Sequence, residues 1–229
     1  MKLIFLNAFY SGKAYELNQF VKQQAKDTDI FCFQEVMTKF VHGNIQPLQF
    51  HQIVAAIKWL QARENYYIQT YVHQDLQILT TQIIQPLDRT IGLSIYTQIQ
   101  LPGQILHLFN VHGLAYPGNK LDTPGRLQLS ESILQITQSC DGPVIIGGDF
   151  NLLLNTRSLQ MFADAGFQHL IKDYKITTTR NRLAWEKWPD NPQSHADYIF
   201  TSSDIHIKDF QVLNIEISDH LPLILEIDV

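Results

Sequence analysis

Pro143-Val-Ile-Ile-Gly-Gly-Asp-Phe-Asn151 is an apolar run that ends in two glycines, a carboxylate and an amide. Val144 to Ile146 reads as a short buried strand, and Gly147-Gly148 allow the backbone to pass close to a neighbour or a substrate. Period-two geometry aims Asp149 and Asn151 the same way, so one strand end presents both a negative charge and a neutral donor. An ionised Asp149 can orient or deprotonate an attacking water. The amide of Asn151 can hold an anionic oxygen without adding charge.

Working outward from this stretch, similar apolar runs recur at Leu3 to Leu6, Ile30 to Phe33, Gln77 to Ile84, Ile91 to Tyr96, Ile105 to Val111, Tyr198 to Phe200 and Leu221 to Ile227. Helical spacing is predicted for Ala14 to Ala25, for Leu48 to Arg63, and for Leu121 to Ser139, where Asp122 or Thr123 is the cap and Pro124 lies in the first turn. Strands thus alternate with helices in parts and follow one another directly elsewhere, as around the Leu101-Pro-Gly103 turn. This mixture predicts two sheets packed face to face with helices outside. Neither a repeat nor a low-complexity tract interrupts the 229 residues, which suit one sizeable core.

A net charge of -5 provides no global field that would draw in polyanions, so contact with a nucleic acid must depend on a local patch. Cys32 and Cys140 match no zinc spacing or disulfide framework and suggest a reducing, cytoplasmic setting. The four apolar residues before Asn7 are too few for a secretory signal, and no run approaches the roughly 20 residues of a membrane span. No protein partner is predicted.

The informative pattern is polar and lies just past the strand ends: Asn7, Gln34-Glu35, Asn110-Val-His112, Asp149-Phe-Asn151, Asp197-Tyr and Ser218-Asp219-His220. If the strands share one sheet system, these ends converge on one cleft. Glu35, Asp149 and Asp219 would repel one another there unless a cation joined them. Oxygen ligands without thiolates favour Mg²⁺, with Mn²⁺ as the alternative. His220 paired with Asp197 can stabilise charge that develops on a phosphoryl oxygen.

In their order, these residues resemble the motif set of the endonuclease/exonuclease/phosphatase superfamily, and the match spans residues 7 to 222. The resemblance implies a single catalytic domain over 1–229. The implied fold is a four-layered α/β sandwich with two mixed, mostly antiparallel sheets, and the implied activity is Mg²⁺-dependent phosphoester hydrolysis. It further implies Glu35 as the principal metal ligand, with Asn7 and Asp219 near the metal, and Asp149 as water activator. Asn151 and His112 would contact phosphate, and Asp197 with His220 would form the carboxylate-imidazole pair.

The leading expectation is a phosphodiesterase or nuclease. A phosphomonoesterase for sugar, inositol or lipid phosphates is the alternative, and an inactive binding module is a third. His195-Ala-Asp197-Tyr lacks the cysteine and arginine of the inositol-polyphosphate 5-phosphatase signature. The basic, aromatic stretch from Lys172 to Trp188 is expected to overhang the cleft. Arg180 or Arg182 would contact a substrate phosphate, and a tryptophan would form a wall for a flat group. Arg126 reads as a solvated or salt-bridged helix residue.

Overall fold

The structure is a computed structural model that describes residues 1–9, 13–37, 48, 51–61, 64–85 and 90–228, with only the backbone path at 54–61 and 64–66. His42 and Arg63 lie outside the described residues, as do the side chains of Trp59 and Tyr66.

One six-stranded sheet contains β1 (Lys2–Asn7), β2 (Ile30–Met37), β3 (His51–Gln61), β4 (Glu64–His73), β11 (His206–Val212) and β12 (Leu223–Asp228), in the order β11-β12-β1-β2-β4-β3. The other contains β5 (Gln77–Ile84), β6 (Gly92–Leu101), β7 (Gln104–Gly113), β8 (Val144–Asp149), β9 (Gln168–His169) and β10 (Asp197–Thr201), in the order β5-β6-β7-β8-β10-β9. Each sheet has one parallel pair, β1 with β2 and β7 with β8, and its other pairings are antiparallel. Among the described residues the helices are α1 (Ala14–Gln24), α2 (Pro124–Thr137), α3 (Arg157–Asp164), α4 (Leu170–Asp173) and α5 (Arg182–Lys187).

Strand β1 is apolar throughout because both of its faces are covered. Leu3 and Phe5 join Cys32, Phe109, Ile145 and Tyr198 between the sheets, while Ile4 and Leu6 pack outward with Leu17, Phe20 and Val21 of α1. Full burial of a side chain such as Phe5 stabilises the fold by about 2–3 kcal/mol. Thr123 caps α2, its Oγ1 accepting from Arg126 N at 3.2 Å. Asp122 serves a different helix, accepting from Arg157 N at 2.7 Å and Ser158 N at 2.9 Å at the start of α3.

The helix predicted for Leu48 to Arg63 is instead the edge strand β3, paired with β4 from His51↔His73 to Gln61↔Glu64. A register shift between Ala56 and Trp59 breaks the period of two, which leaves apolar spacing in the sequence that imitates a helix.

The two glycines of the opening stretch are required by close approaches. A Cβ on Gly147 would lie 2.6 Å from the Phe5 ring, and one on Gly148, at φ +133, would lie 2.2 Å from Val111 O. Gly148→Ala adds backbone strain to a clash with a fixed carbonyl, so it should cost about 2–3 kcal/mol of stability in urea unfolding.

A second stability prediction concerns His169, which is buried against Tyr198 and Phe200 with ring centroids 5.6 and 4.6 Å away. Burial first, then Lys172, pushes its imidazole down to about 4 from the ordinary 6.5. The unfolded chain therefore binds a proton that the folded one refuses. This contribution to stability is complete above pH 6.5 and is lost as pH falls towards 4. His169→Leu should remove about 2 kcal/mol of the parent's loss between pH 7 and pH 5, read from urea midpoints. An unchanged pH slope would show that the ring does not carry the effect.

Candidate active site

The parallel pair in each sheet delivers its carboxyl ends to the same place. Asn7 is paired with Gln34, His112 with Asp149, and Asp149 with Asp197. Glu35 reaches the cleft through a bulge in β2 between Phe33 and Val36, where its backbone takes φ +53. Behind the bulge, Gln34 Nε2 donates to Asn110 Oδ1 at 2.6 Å, and Asn110 Nδ2 donates to Gln69 O and Thr70 Oγ1 at 3.0 and 3.1 Å. This buried polar bridge holds the sheets in register directly beneath the cleft.

Asp149 is the centre of the cluster. Its Oδ2 accepts from Asn7 Nδ2 at 2.8 Å and Asn151 Nδ2 at 3.0 Å, and its Oδ1 accepts from Asn151 N at 2.8 Å. Oδ2 also lies 3.8 Å from His220 Nε2 and 4.0 Å from His112 Nε2. Burial favours the neutral acid, but His220, His112, Lys120 and Arg180 together outweigh it and hold the carboxyl below its ordinary range. Glu35 Oε1 lies 3.5 Å from His112 Nε2, and that contact likewise overcomes burial and lowers its carboxyl.

His220 Nδ1 is 2.9 Å from both oxygens of Asp197, while its Nε2 accepts from Arg180 Nη1 at 2.9 Å. These contacts fit the neutral ring with its proton on Nδ1. Burial and Arg180 oppose protonation, yet Asp197, Asp219 and Asp149 outweigh them and raise the proton affinity of the ring. Burial raises the Asp197 carboxyl in turn. Thr179 Oγ1 fixes the start of β10 by accepting from Ala196 N and Asp197 N at 3.0 and 3.2 Å. Ser218 Oγ donates to Asn7 O at 2.6 Å and accepts from His220 N at 3.2 Å, tying β1 to the Ser218-Asp219-His220 turn.

The cleft has a volume of about 420 Å³; Glu35, His112, Asp149, Asn151, Asp219 and His220 are in its wall. Ligand atoms of Glu35, His112 and Asp149 all lie within 4.8 Å of one another, and those of Asp149, Asp197 and His220 form a second such group. Asp219 Oδ1 is buried with no hydrogen-bond partner among the described residues. Asp219 belongs to neither group, but two close carboxylates with an orphaned carboxylate oxygen in the same cleft wall fit a hard divalent cation. His112 is a neighbour of Glu35 in these groupings, whereas Asn7 donates its amide to Asp149.

The basic stretch divides in two. Arg180 forms a bridge with the His220 backbone and lines the cleft, its Nη2 donating to Asp219 Oδ2 at 2.7 Å. Arg182 begins α5 and turns away from the cleft, with its guanidinium 2.6 Å from Glu186 Oε1 and 2.9 Å from Glu216 Oε2. The expected phosphate contact thereby narrows to Arg180. Trp188 lines the mouth with Tyr116 and Phe9, and Lys187 Nζ stands 4.0 Å above the Phe9 ring. Trp185 faces a separate surface depression.

Three residues that the sequence reading did not place at the site complete it: Lys120, Thr179 and Arg126. Arg126 is a correction, since it is 2% exposed rather than solvated. Its guanidinium donates to Leu114 O, Pro117 O and Leu121 O. Only its place shortly after the His112 loop marked it in the sequence.

Two facing sheets whose parallel strand ends deliver carboxylates and imidazoles to one cleft define the class of metal-dependent phosphoester hydrolases. The profile of the Endonuclease/Exonuclease/phosphatase family matches residues 11–220, and the chain belongs to that family. No curated protein sequence matches it.

The solved structures that cover 100% of this chain include three of differing activity or source. An endonuclease/exonuclease/phosphatase from Bacteroides vulgatus has 15% identity, 98% of its own chain covered and a TM-score of 0.78. D. rerio TDP2 complexed with a single-strand DNA product has 16%, 99% and 0.79. The mannosyl-6-phosphatase of Bacteroides thetaiotaomicron has 17%, 100% and 0.73. At these identities the likeness establishes the fold, a four-layer α/β sandwich. Among the described residues no helix is long and apolar enough to cross a membrane.

Proposed function

We propose that this chain, as one catalytic domain over residues 1–229, hydrolyses a phosphodiester, with nucleic acid or a nucleotide as the substrate class. The observation that carries this reading is the position of Asp149, bound by two amides and facing two imidazoles inside a cleft with aromatic groups at its mouth. Exposed Trp188 and Tyr116 offer flat faces to a base. The two free cysteines suit the reducing cytoplasm.

Glu35, with Asn7 and Asp219 nearby, would hold Mg²⁺ or Mn²⁺. The bound cation supplies Lewis acidity toward the phosphoryl oxygen. Asp149 aligns a water in line with the leaving oxygen. Three N–H donors make it a weak base, so it takes the water's proton as the new P–O bond forms. The ester P–O bond breaks, and the leaving oxygen is protonated from solvent. His220, fixed by Asp197 and raised in proton affinity by the surrounding carboxylates, would act in its protonated form, its Nε2–H turned to the phosphoryl oxygen on which charge accumulates.

A panel of abasic duplex, single strands, bis(p-nitrophenyl) phosphate and inositol phosphates tests the assignment. Cleavage of diesters that depends on a divalent cation supports it. Release of inorganic phosphate from monoesters with diesters untouched would overturn it in favour of the monoesterase.

A further inference from the structure

We propose that Lys120 is a substrate-contacting residue of this cleft, its ammonium donating to a non-bridging oxygen of the phosphate beside Asp149. The proposal rests on the phosphoester-hydrolase reading and adds a residue that the mechanism above does not use.

Lys120 is held by the loop that carries it. Arg126 clamps the loop from Leu114 to Leu121, and Leu153 N donates to Lys120 O at 2.9 Å, with Lys120 itself at φ +57. The side chain is thereby directed along the cleft wall, where Nζ donates to Ala115 O at 2.7 Å and to Asn151 Oδ1. An ammonium carries three N–H groups, so one remains for the cleft.

The Asn151 amide beside it is already committed. With Oδ1 on Lys120, Asn151 directs Nδ2 to Gly113 O at 3.2 Å and Asp149 Oδ2 at 3.0 Å, and its backbone N–H goes to Asp149 Oδ1. The amide thus keeps no N–H of its own for a phosphoryl oxygen. Arg180 is tethered through one N–H of each Nη to His220 and Asp219, and Lys187 sits over Phe9 at the mouth. Beside the tethered Arg180, Lys120 is a second cation of the cleft wall that acts on Asp149, and it keeps an N–H to give.

Energetics point the same way. Burial draws the ammonium down to about 8, against the pull of Asp149 and Glu35. Desolvating a charge to support one neutral amide recovers little of its cost, whereas an anionic phosphate between Lys120 and Asp149 would gain a charge-assisted hydrogen bond. The same ammonium offsets the repulsion that Glu35, Asp149 and Asp219 exert on an incoming anion.

The test uses inorganic phosphate as probe, titrated calorimetrically into the parent, Lys120→Met and Lys120→Arg, with and without Mg²⁺. Phosphate should bind about tenfold or more weakly to Lys120→Met, and Lys120→Arg should recover part of the loss. On the unaltered protein, phosphate should slow acetylation of Lys120 by an N-hydroxysuccinimide ester several-fold, read by peptide mass spectrometry, and this readout holds even if Lys120→Met folds poorly. Phosphate affinity within twofold of the parent, or acetylation indifferent to phosphate, would overturn the proposal and leave Lys120 as a prop for Asn151. Hydrolysis that survives in Lys120→Met but vanishes in Asp149→Ala would reject this role while keeping the hydrolase. Phosphate bound through Lys120 by a protein that hydrolyses no ester would do the reverse.

Discussion

Asp149→Ala should retain about one part in 10² to 10⁴ of the parent kcat on a phosphodiester, the range for losing a positioned general base. The expected loss is large because Asp149 has three tasks that no neighbour can assume. It orders Asn7 and Asn151, faces both imidazoles, and on the proposed mechanism would present the oxygen that aligns the attacking water. Its removal also leaves the Asn7 amide without its 2.8 Å acceptor. Asp149→Asn keeps the volume and separates charge from shape. The loss should fall in kcat with KM within about threefold, since an interaction confined to the transition state is removed. Circular dichroism and urea midpoints would establish that the variant is folded. A folded Asp149→Ala with more than a tenth of the parent rate would contradict the assignment.

Asp197 and His220 should behave as one unit. His220→Ala is expected to lower kcat about 10²- to 10³-fold, as for the loss of a preorganised stabiliser of phosphoryl charge. Asp197→Asn should follow closely, because both of its oxygens stand 2.9 Å from His220 Nδ1 and an amide there no longer dictates the tautomer. The double variant should be little worse than either single one, for once the ring is gone its anchor has nothing to hold. Multiplying losses in the double variant would show that the two residues act separately. Arg180 shares this unit by donating to Nε2, so the double-mutant cycle is best measured with Arg180 intact.

Much of the fold could be read from the chain because its central strands are covered on both faces. β1, β2, β7, β8, β10 and β12 announce themselves as apolar runs. Of the edge strands, β5 is read in full as Gln77 to Ile84, whereas the others lose the signal. β3 carries apolar spacing that imitates a helix, and β11, buried only at Phe210, presents no apolar run.

The polar groups of the cleft were legible for a related reason: a carboxylate or amide directly after a buried run must go somewhere, and the parallel pairs send it to one end of the sheets. Lys120, Thr179 and Arg126 were illegible because their roles depend on how loops return. A lysine two residues past Gly118 and a threonine among three carry no mark of what they touch. Arg180 and Arg182 look alike in sequence and separate only because Asn181 caps α5, accepting from Leu183 N at 3.0 Å, so that the chain turns away immediately after Arg180.

The central claim is that Glu35, Asp149 and His220 serve one metal-dependent hydrolytic site. Its most direct test is the rate of p-nitrophenol release from bis(p-nitrophenyl) phosphate, measured for the parent and Glu35→Gln with Mg²⁺, with Mn²⁺ and with chelator. The account predicts turnover in the parent that chelator abolishes and either cation restores, and that Glu35→Gln loses at saturating cation. A parent rate indifferent to chelator, or a Glu35→Gln protein as active as the parent with the same cation requirement, would contradict it.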